Sequence, residues 1–182
     1  TVAKKAVEAG ASIVNDVSGG LMDNQMLPTV AALHVPFVCM HMKGTPKNMQ
    51  QNPTYNNVTE EVLTFFIEKI DACKKAGIND VIIDPGFGFG KTIEHNYTLL
   101  KQLAAFKILQ KPILLGVSRK SMIYKPLEVT ANEALNGTSV LHTIGLENGA
   151  SILRVHDVKE AIECIHLTQL YNQTKIESQT LT

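Results

Sequence analysis

The run Val81-Ile82-Ile83 leads directly into Asp84-Pro85-Gly86-Phe87-Gly88-Phe89-Gly90-Lys91, which puts a carboxylate at the end of an apolar strand, beside a glycine-rich loop. A carboxylate taken out of water costs free energy unless it is hydrogen-bonded. Alternating glycines let a backbone approach a ligand closely. Together they outline a small-molecule pocket. Polar groups close four other apolar runs as well: Asn15-Asp16, His41, Ser118-Arg119-Lys120 and Arg154-Val155-His156. Ligands of α/β folds bind at the carboxyl ends of strands, and in barrels the loops after the strands share one mouth. Five strand ends therefore converge on one pocket. Arg154 and His156, two apart on a strand, leave on the same face and can hold one anion together. Lys120 precedes Ser121 at the expected start of a helix, where free N–H groups attract phosphate or carboxylate.

Each of these residues also has a plainer reading. Asn15 alone reads as a turn or cap residue, Asp84 before Pro85 as a turn initiator, Arg154 as the partner of Asp157, and Met40 as core. Their joint placement favours a site. Several familiar motifs fail. Gly90-Lys91-Thr92 resembles the end of a phosphate-binding P-loop, but Pro85 stands where its first glycine is required. The spacing of Gly86, Gly88 and Gly90 is not that of a dinucleotide loop. The histidines form no HExxH pattern; His34, His95, His142 and His166 fall in helical regions, and no zinc site built from protein alone is evident.

The elements that must position these residues are legible as near-continuous apolar runs at 12–17, 35–41, 80–84, 112–117 and 150–155, the pattern of buried parallel strands. Helical patterns occupy 1–9, 22–33, 58–76, 95–106, 131–148 and 158–171. Three of them end in glycine, at Gly10, Gly77 and Gly149, which suits the left-handed position after a helix. Strictly alternating β and α elements predict an α/β fold, a parallel sheet or a (β/α) barrel. The longest irregular stretch, 42–57, is long enough to be a loop over a site, and equally an ordinary surface connection.

A chain of 182 residues holds one domain with a sizeable core. Lys+Arg and Asp+Glu both total 17, so no global basic field argues for nucleic acid or an anionic membrane. Cys39, Cys73 and Cys164 are far apart and read as reduced thiols. With no signal peptide or long apolar span in the sequence, a cytoplasmic location is expected.

Five segments carry a family resemblance. They are Val14-Asn15-Asp16-Val17-Ser18-Gly19, Met40-His41-Met42-Lys43-Gly44-Thr45-Pro46, Asp84 through Lys91, Gly116-Val117-Ser118-Arg119-Lys120-Ser121 and Arg154-Val155-His156-Asp157-Val158. In order and spacing they resemble the dihydropteroate synthases. That resemblance implies a (β/α)8 TIM barrel, here a partial barrel of about five parallel strands over residues 1–172 with a polar tail at 173–182. It implies condensation of 6-hydroxymethyl-7,8-dihydropterin pyrophosphate with para-aminobenzoate in folate synthesis, the step that sulfonamides inhibit. Asp84 then resembles the carboxylate that reads the pterin's guanidine-like edge, Asn15 its amide partner, and Lys120 the donor to the ring carbonyl and nitrogen. Met40, Phe89 and Gly116 resemble the walls, and Arg154 and His156 the pyrophosphate clamp. Ser121 resembles the contact near the para-aminobenzoate carboxylate, and the loop Lys43-Gly44-Thr45-Pro46 a cover over that substrate. Asp84, Lys120, Arg154 and His156 are the expected catalytic group. The resemblance also implies Mg²⁺ and a homodimer.

The five segments match the fourth to eighth barrel strands of that family. The resemblance thus places three strands, an asparagine that helps hold metal and pyrophosphate, and a pterin-pocket aspartate outside this sequence, and assigns no metal ligand within it. Two other readings follow: a non-catalytic pterin-binding fragment, and a pterin-dependent methyltransferase. Arg154-Val155-His156 and Ser118-Arg119-Lys120 favour a substrate that carries pyrophosphate.

Overall fold

The computed structural model describes residues 2–45, 49, 51 and 53–174. Thr1, Pro46 and the tail from 175 onward lie outside the described residues, so the expectations for the cover loop and the tail are only partly represented.

Among the described residues, five parallel strands alternate with helices. Strands β1 (Val14–Asp16), β2 (Phe37–Met40) and β3 (Val81–Asp84) pair in that order, as do β4 (Leu114–Leu115) and β5 (Ile152–Leu153). A parallel bridge between Ile83 and Ile113 joins the two groups, giving the continuous order β1-β2-β3-β4-β5. The helices are α1 (Val2–Glu8), α2 (Met26–Leu33), α3 (Val58–Ala76), α4 (Ile93–Lys101), α5 (Ser121–Tyr124), α6 (Leu135–Glu147) and α7 (Val158–Gln173). A 3₁₀ helix at Leu103–Leu109 follows α4, and another at Ala131–Glu133 precedes α6. Strand order matching chain order, with helices between, is the architecture of part of a (β/α)8 barrel. Among the described residues β1 pairs only with β2 and β5 only with β4.

Two expectations about the strands need correction. The fourth and fifth apolar runs, read as six residues each, make two-residue strands. Pairing continues past them through isolated bonds, Ile83 N–H to Pro112 O at 3.0 Å and Arg154 N–H to Leu115 O at 3.0 Å. Arg154 and His156 consequently lie beyond the end of β5, not on it.

Register divides the sheet into two faces. Phe37, Cys39, Val81, Ile83, Ile113 and Leu115 face the helices and form the core with Val62, Phe66, Leu99, Leu103 and Phe106. Asn15, Val38 and Ile82 form a row on the other face, with Met40 beside Asp84 one step further along. Near-continuous apolar strands result because both faces of β2 are buried.

Helix ends follow local chemistry. Asn57 caps α3 by accepting from Thr59 N–H (3.1 Å) and Glu60 N–H (3.3 Å). Glu60 and Glu61 lie in its first turn and Lys74 and Lys75 in its last, complementing the helix dipole. Thr92 and His95 form a reciprocal capping box at α4. Gly10, Gly77 and Gly149 end their helices at φ values of 106°, 91° and 103°.

Candidate functional site

Asp84 ends β3 and is 2% exposed. Its Oδ1 accepts the Gly86 N–H at 2.8 Å, which bears out the turn-forming reading. Burial raises the Asp84 pKa above the ordinary carboxylate range; the Gly86 N–H and the charges of Lys120, Arg154 and Lys91 act against that rise. Three cations from three segments of the chain thus act on the carboxylate through space.

The loop after β3 needs its glycines for space. Gly86 has φ of 69°, and a Cβ there would overlap the carbonyl oxygen of His41 at the exit of β2. The loop therefore lies directly on β2. Lys120 reaches across from the loop after β4: its Nζ donates to Phe87 O and stands 4.8 Å from the Phe89 ring centroid. Burial brings the Lys120 pKa down to about 8, the Asp84 carboxylate raising it and Arg154 lowering it further. Acid, ammonium and aromatic ring thus share one mouth.

Gly116, just past β4, makes room for Arg154. A Cβ at Gly116 would lie 3.1 Å from Arg154 Nη2. The Arg154 side chain therefore crosses β4 at the level of the site. Its alternative partner, Asp157, is taken by Arg119, whose Nε and Nη2 donate to Oδ2 and Oδ1 at 2.8 Å each. Arg119 also donates to Ala131 O and Asn132 O, which holds its backbone at a left-handed φ of 52°. That sharp turn, closed by Lys120 N–H to Val117 O at 3.1 Å, sends Lys120 toward the loop after β3. His156 pairs with Ser118: its Nδ1 is 2.9 Å from Ser118 Oγ, and its N–H donates to the same oxygen at 3.2 Å.

The expected site residues are unequally gathered. Asp84, Lys120, Phe89, Gly116 and Arg154 come together as described, with Met40 beside Asp84 and His156 two residues beyond Arg154. Asn15 lies on the same face of the sheet but is exposed, on β1, which among the described residues pairs only with β2. Ser121 begins α5, a helix of only four residues. No side-chain hydrogen bond joins either to the cluster among the described residues. Of the cover loop, Lys43 is anchored by Glu61 at 2.8 Å and by Thr54 O at 2.5 Å, and its Nζ lies over the Tyr55 ring. A hollow of about 650 Å³ beside it is lined by Lys43, Tyr55, Glu61 and Phe65 and includes none of Asp84, Lys120 or Arg154.

Sequence reasoning passed over Lys91, having considered it only as a failed P-loop lysine. It is buried and makes contacts with both His41 and the glycine loop. The available signal was a charged residue closing a glycine-aromatic run.

A family model for "pterin binding enzyme" matches residues 1–156. The chain belongs to the pterin binding enzyme family. It is 43% identical over 170 residues to dihydropteroate synthase of Escherichia coli (strain K12), covering 92% of this chain and 60% of that protein. Solved structures agree. Dihydropteroate synthase of Yersinia pestis, crystallised as a sulfonamide drug complex, has a TM-score of 0.91 at 38% identity, covering 94% of this chain and 63% of that one. The Thermus thermophilus enzyme, in complex with 6HMPPP, has a TM-score of 0.89 at 35% identity, covering 94% and 68%. The Xanthomonas albilineans enzyme with 4-aminobenzoic acid has a TM-score of 0.88 at 37% identity, covering 96% and 62%. The chain spans about 60% of the length of the curated relatives it matches first.

Among the described residues no three His, Cys, Asp or Glu side chains gather as metal ligands. The mouth is cationic around Asp84, so these residues do not build a Mg²⁺ site. No helix is long and apolar enough to cross a membrane, among the described residues.

Proposed function

We propose that the chain carries the pterin and pyrophosphate subsites of a dihydropteroate synthase, over a partial barrel at residues 1–172. The observation that carries this reading is Asp84, buried at the end of β3, with Lys120 reaching across to the loop that follows it and Arg154 packed on Gly116. A carboxylate in that setting can take two N–H donors from a planar guanidine-like edge. Lys120, poised on the Phe89 ring, can donate to the opposite side of such a heterocycle, and Asn15 can donate and accept at its rim. In this reading Met40, Phe89 and Gly116 form the walls against the ring.

Arg154 and His156 then receive the diphosphate. As pyrophosphate departs, positive charge develops on the pterin methylene and negative charge on the leaving group. Stabilising the anion is the main electrostatic task, and it falls to Arg154. Asp84 stabilises the cationic ring and orients it. Para-aminobenzoate attacks through a neutral amine and needs no strong base, with Ser121 and Lys43-Gly44-Thr45 assigned to its side of the mouth. The described residues supply no ligand set for Mg²⁺, and no step here depends on it.

The homodimer expected for the family has an apolar face available on α7 and α6, where Leu167, Leu170, Tyr171, Val140 and Ile144 are exposed. All three cysteines are free, in keeping with a cytoplasmic setting.

The test is incubation of the chain with the pterin pyrophosphate, para-aminobenzoate and Mg²⁺, with dihydropteroate as the readout. Product formation supports the transferase reading. Pterin binding without product supports the non-catalytic reading, and failure to bind the pterin overturns both.

A further inference from the structure

In the reading above Lys91 counts only as one of the charges acting on Asp84, yet it is 3% exposed and follows the last glycine of the loop. Its Nζ donates to Gly86 O at 3.0 Å and Phe89 O at 3.1 Å, lies 2.9 Å from His41 Nδ1, and stands 3.5 Å from His41 O. An ammonium has three protons. Two backbone carbonyls and one imidazole nitrogen take them at good distance. His41 must then present a lone pair at Nδ1, and burial, together with the charges of Lys91 and Lys43, holds its pKa far below the ordinary histidine value.

The contacts of Lys91 bracket the part of the loop that meets Lys120. Gly86 and Phe89 flank Phe87, whose carbonyl receives Lys120 Nζ, and Phe89 supplies the ring beneath that ammonium. On the other side, a Cβ at Gly90 would overlap Lys43 O, just as one at Gly86 would overlap His41 O. The glycine loop is pressed onto the exit of β2 at both ends. Tyr55 adds a bond from its hydroxyl to Gly90 O at 2.8 Å.

We propose that Lys91 is a positioning residue, whose ammonium locks the glycine loop to the exit of β2 and so sets Lys120 and the Phe89 ring for the ligand. This rests on the reading of the mouth as a pterin site. Burying an ammonium is costly unless its protons are bonded, and here two bonds go to loop carbonyls and one to the His41 ring at the exit of β2. Burial lowers the Lys91 pKa to about 7 while the Asp84 carboxylate acts the other way. A residue serving only to fill space would need no charge.

The test compares Lys91→Met with the parent chain of 182 residues. Calorimetry measures affinity for the pterin pyrophosphate and for inorganic pyrophosphate, while amide hydrogen exchange follows residues 84–91. Pterin pyrophosphate affinity is expected to fall about tenfold or more, with pyrophosphate affinity within about twofold and faster exchange confined to the loop. Equal affinity of parent and variant for the pterin pyrophosphate overturns the proposal, as does an equal loss for both ligands. If the parent binds no pterin, the reading of the mouth fails, and exchange decides the lock separately: acceleration confined to 84–91 sustains it, and no change overturns it. If Lys91→Met does not fold, Lys91→Gln, which keeps two donors, is measured by the same criteria.

Discussion

Replacing Asp84 with Asn separates what the carboxylate does for a ligand from what it does for the fold. Asn keeps the Oδ1 that accepts the Gly86 N–H at 2.8 Å, so the turn is preserved. It exchanges the second oxygen for an NH₂, which meets the N–H donors of a pterin edge donor to donor. Losing a charge-assisted pair of bonds costs about 2–4 kcal/mol, or about 30- to 900-fold in affinity. Stability should move the other way. Because burial raises the folded pKa of Asp84, the folded chain holds its proton to higher pH than the unfolded chain does. Stability therefore falls as pH rises from the ordinary Asp value, about 3.9, through the folded value, and above that window the full cost of the buried charge is present. Asp84→Asn removes that cost at neutral pH. Calorimetric titration with the pterin pyrophosphate and urea denaturation of the ligand-free chain are the paired assays. Weaker binding with equal or greater stability is expected; affinity within about threefold of the parent, a change of under 1 kcal/mol, would refute the reasoning.

The same raised pKa predicts that affinity for the pterin pyrophosphate falls on acidification at a pH above the usual aspartate range; titrations across pH should show the loss, and Asp84→Asn should flatten it. Arg154→Ala should weaken pterin pyrophosphate binding about 10- to 150-fold and leave binding of the hydroxymethyl pterin alcohol unchanged; parallel loss for both ligands would contradict a pyrophosphate role. Gly86→Ala combines a φ of 69° with overlap on His41 O, and should cost at least about 3 kcal/mol in urea denaturation, whereas a cost under about 1 kcal/mol would show that the loop can leave β2. Gly145→Ala drives a methyl into Leu115 behind the sheet and should cost about 1–3 kcal/mol without changing pterin affinity per folded molecule.

The order of elements was legible because it is written locally: apolar runs bury both faces of a parallel sheet, and Gly10, Gly77 and Gly149 end helices where a left-handed residue is required. Asp84 was legible for the same reason, as a charge at the end of three aliphatics. Strand lengths were not. β4 and β5 are two residues each because their ladder depends on the alignment of distant backbones, which leaves no mark in the apolar runs at 112–117 and 150–155. The pairing of Arg119 with Asp157, 38 positions away, was equally invisible, and with it the reason Arg154 remains available to the mouth. Lys91 shows a further limit. Its burial depends on carbonyls of the loop it terminates and on a histidine 50 positions earlier, so a charged residue after glycine resembled a phosphate motif instead of a structural cation. The exposure of Asn15 follows from its strand having one partner among the described residues.

The most direct measurement is a crystal structure of the chain with 6-hydroxymethyl-7,8-dihydropterin pyrophosphate. The ring should lie between Asp84 and Lys120 against Met40 and Phe89, with both Asp84 oxygens accepting from its guanidine-like edge and the diphosphate at Arg154 and His156. A ring bound away from Asp84, or a diphosphate that touches neither Arg154 nor His156, would contradict the account.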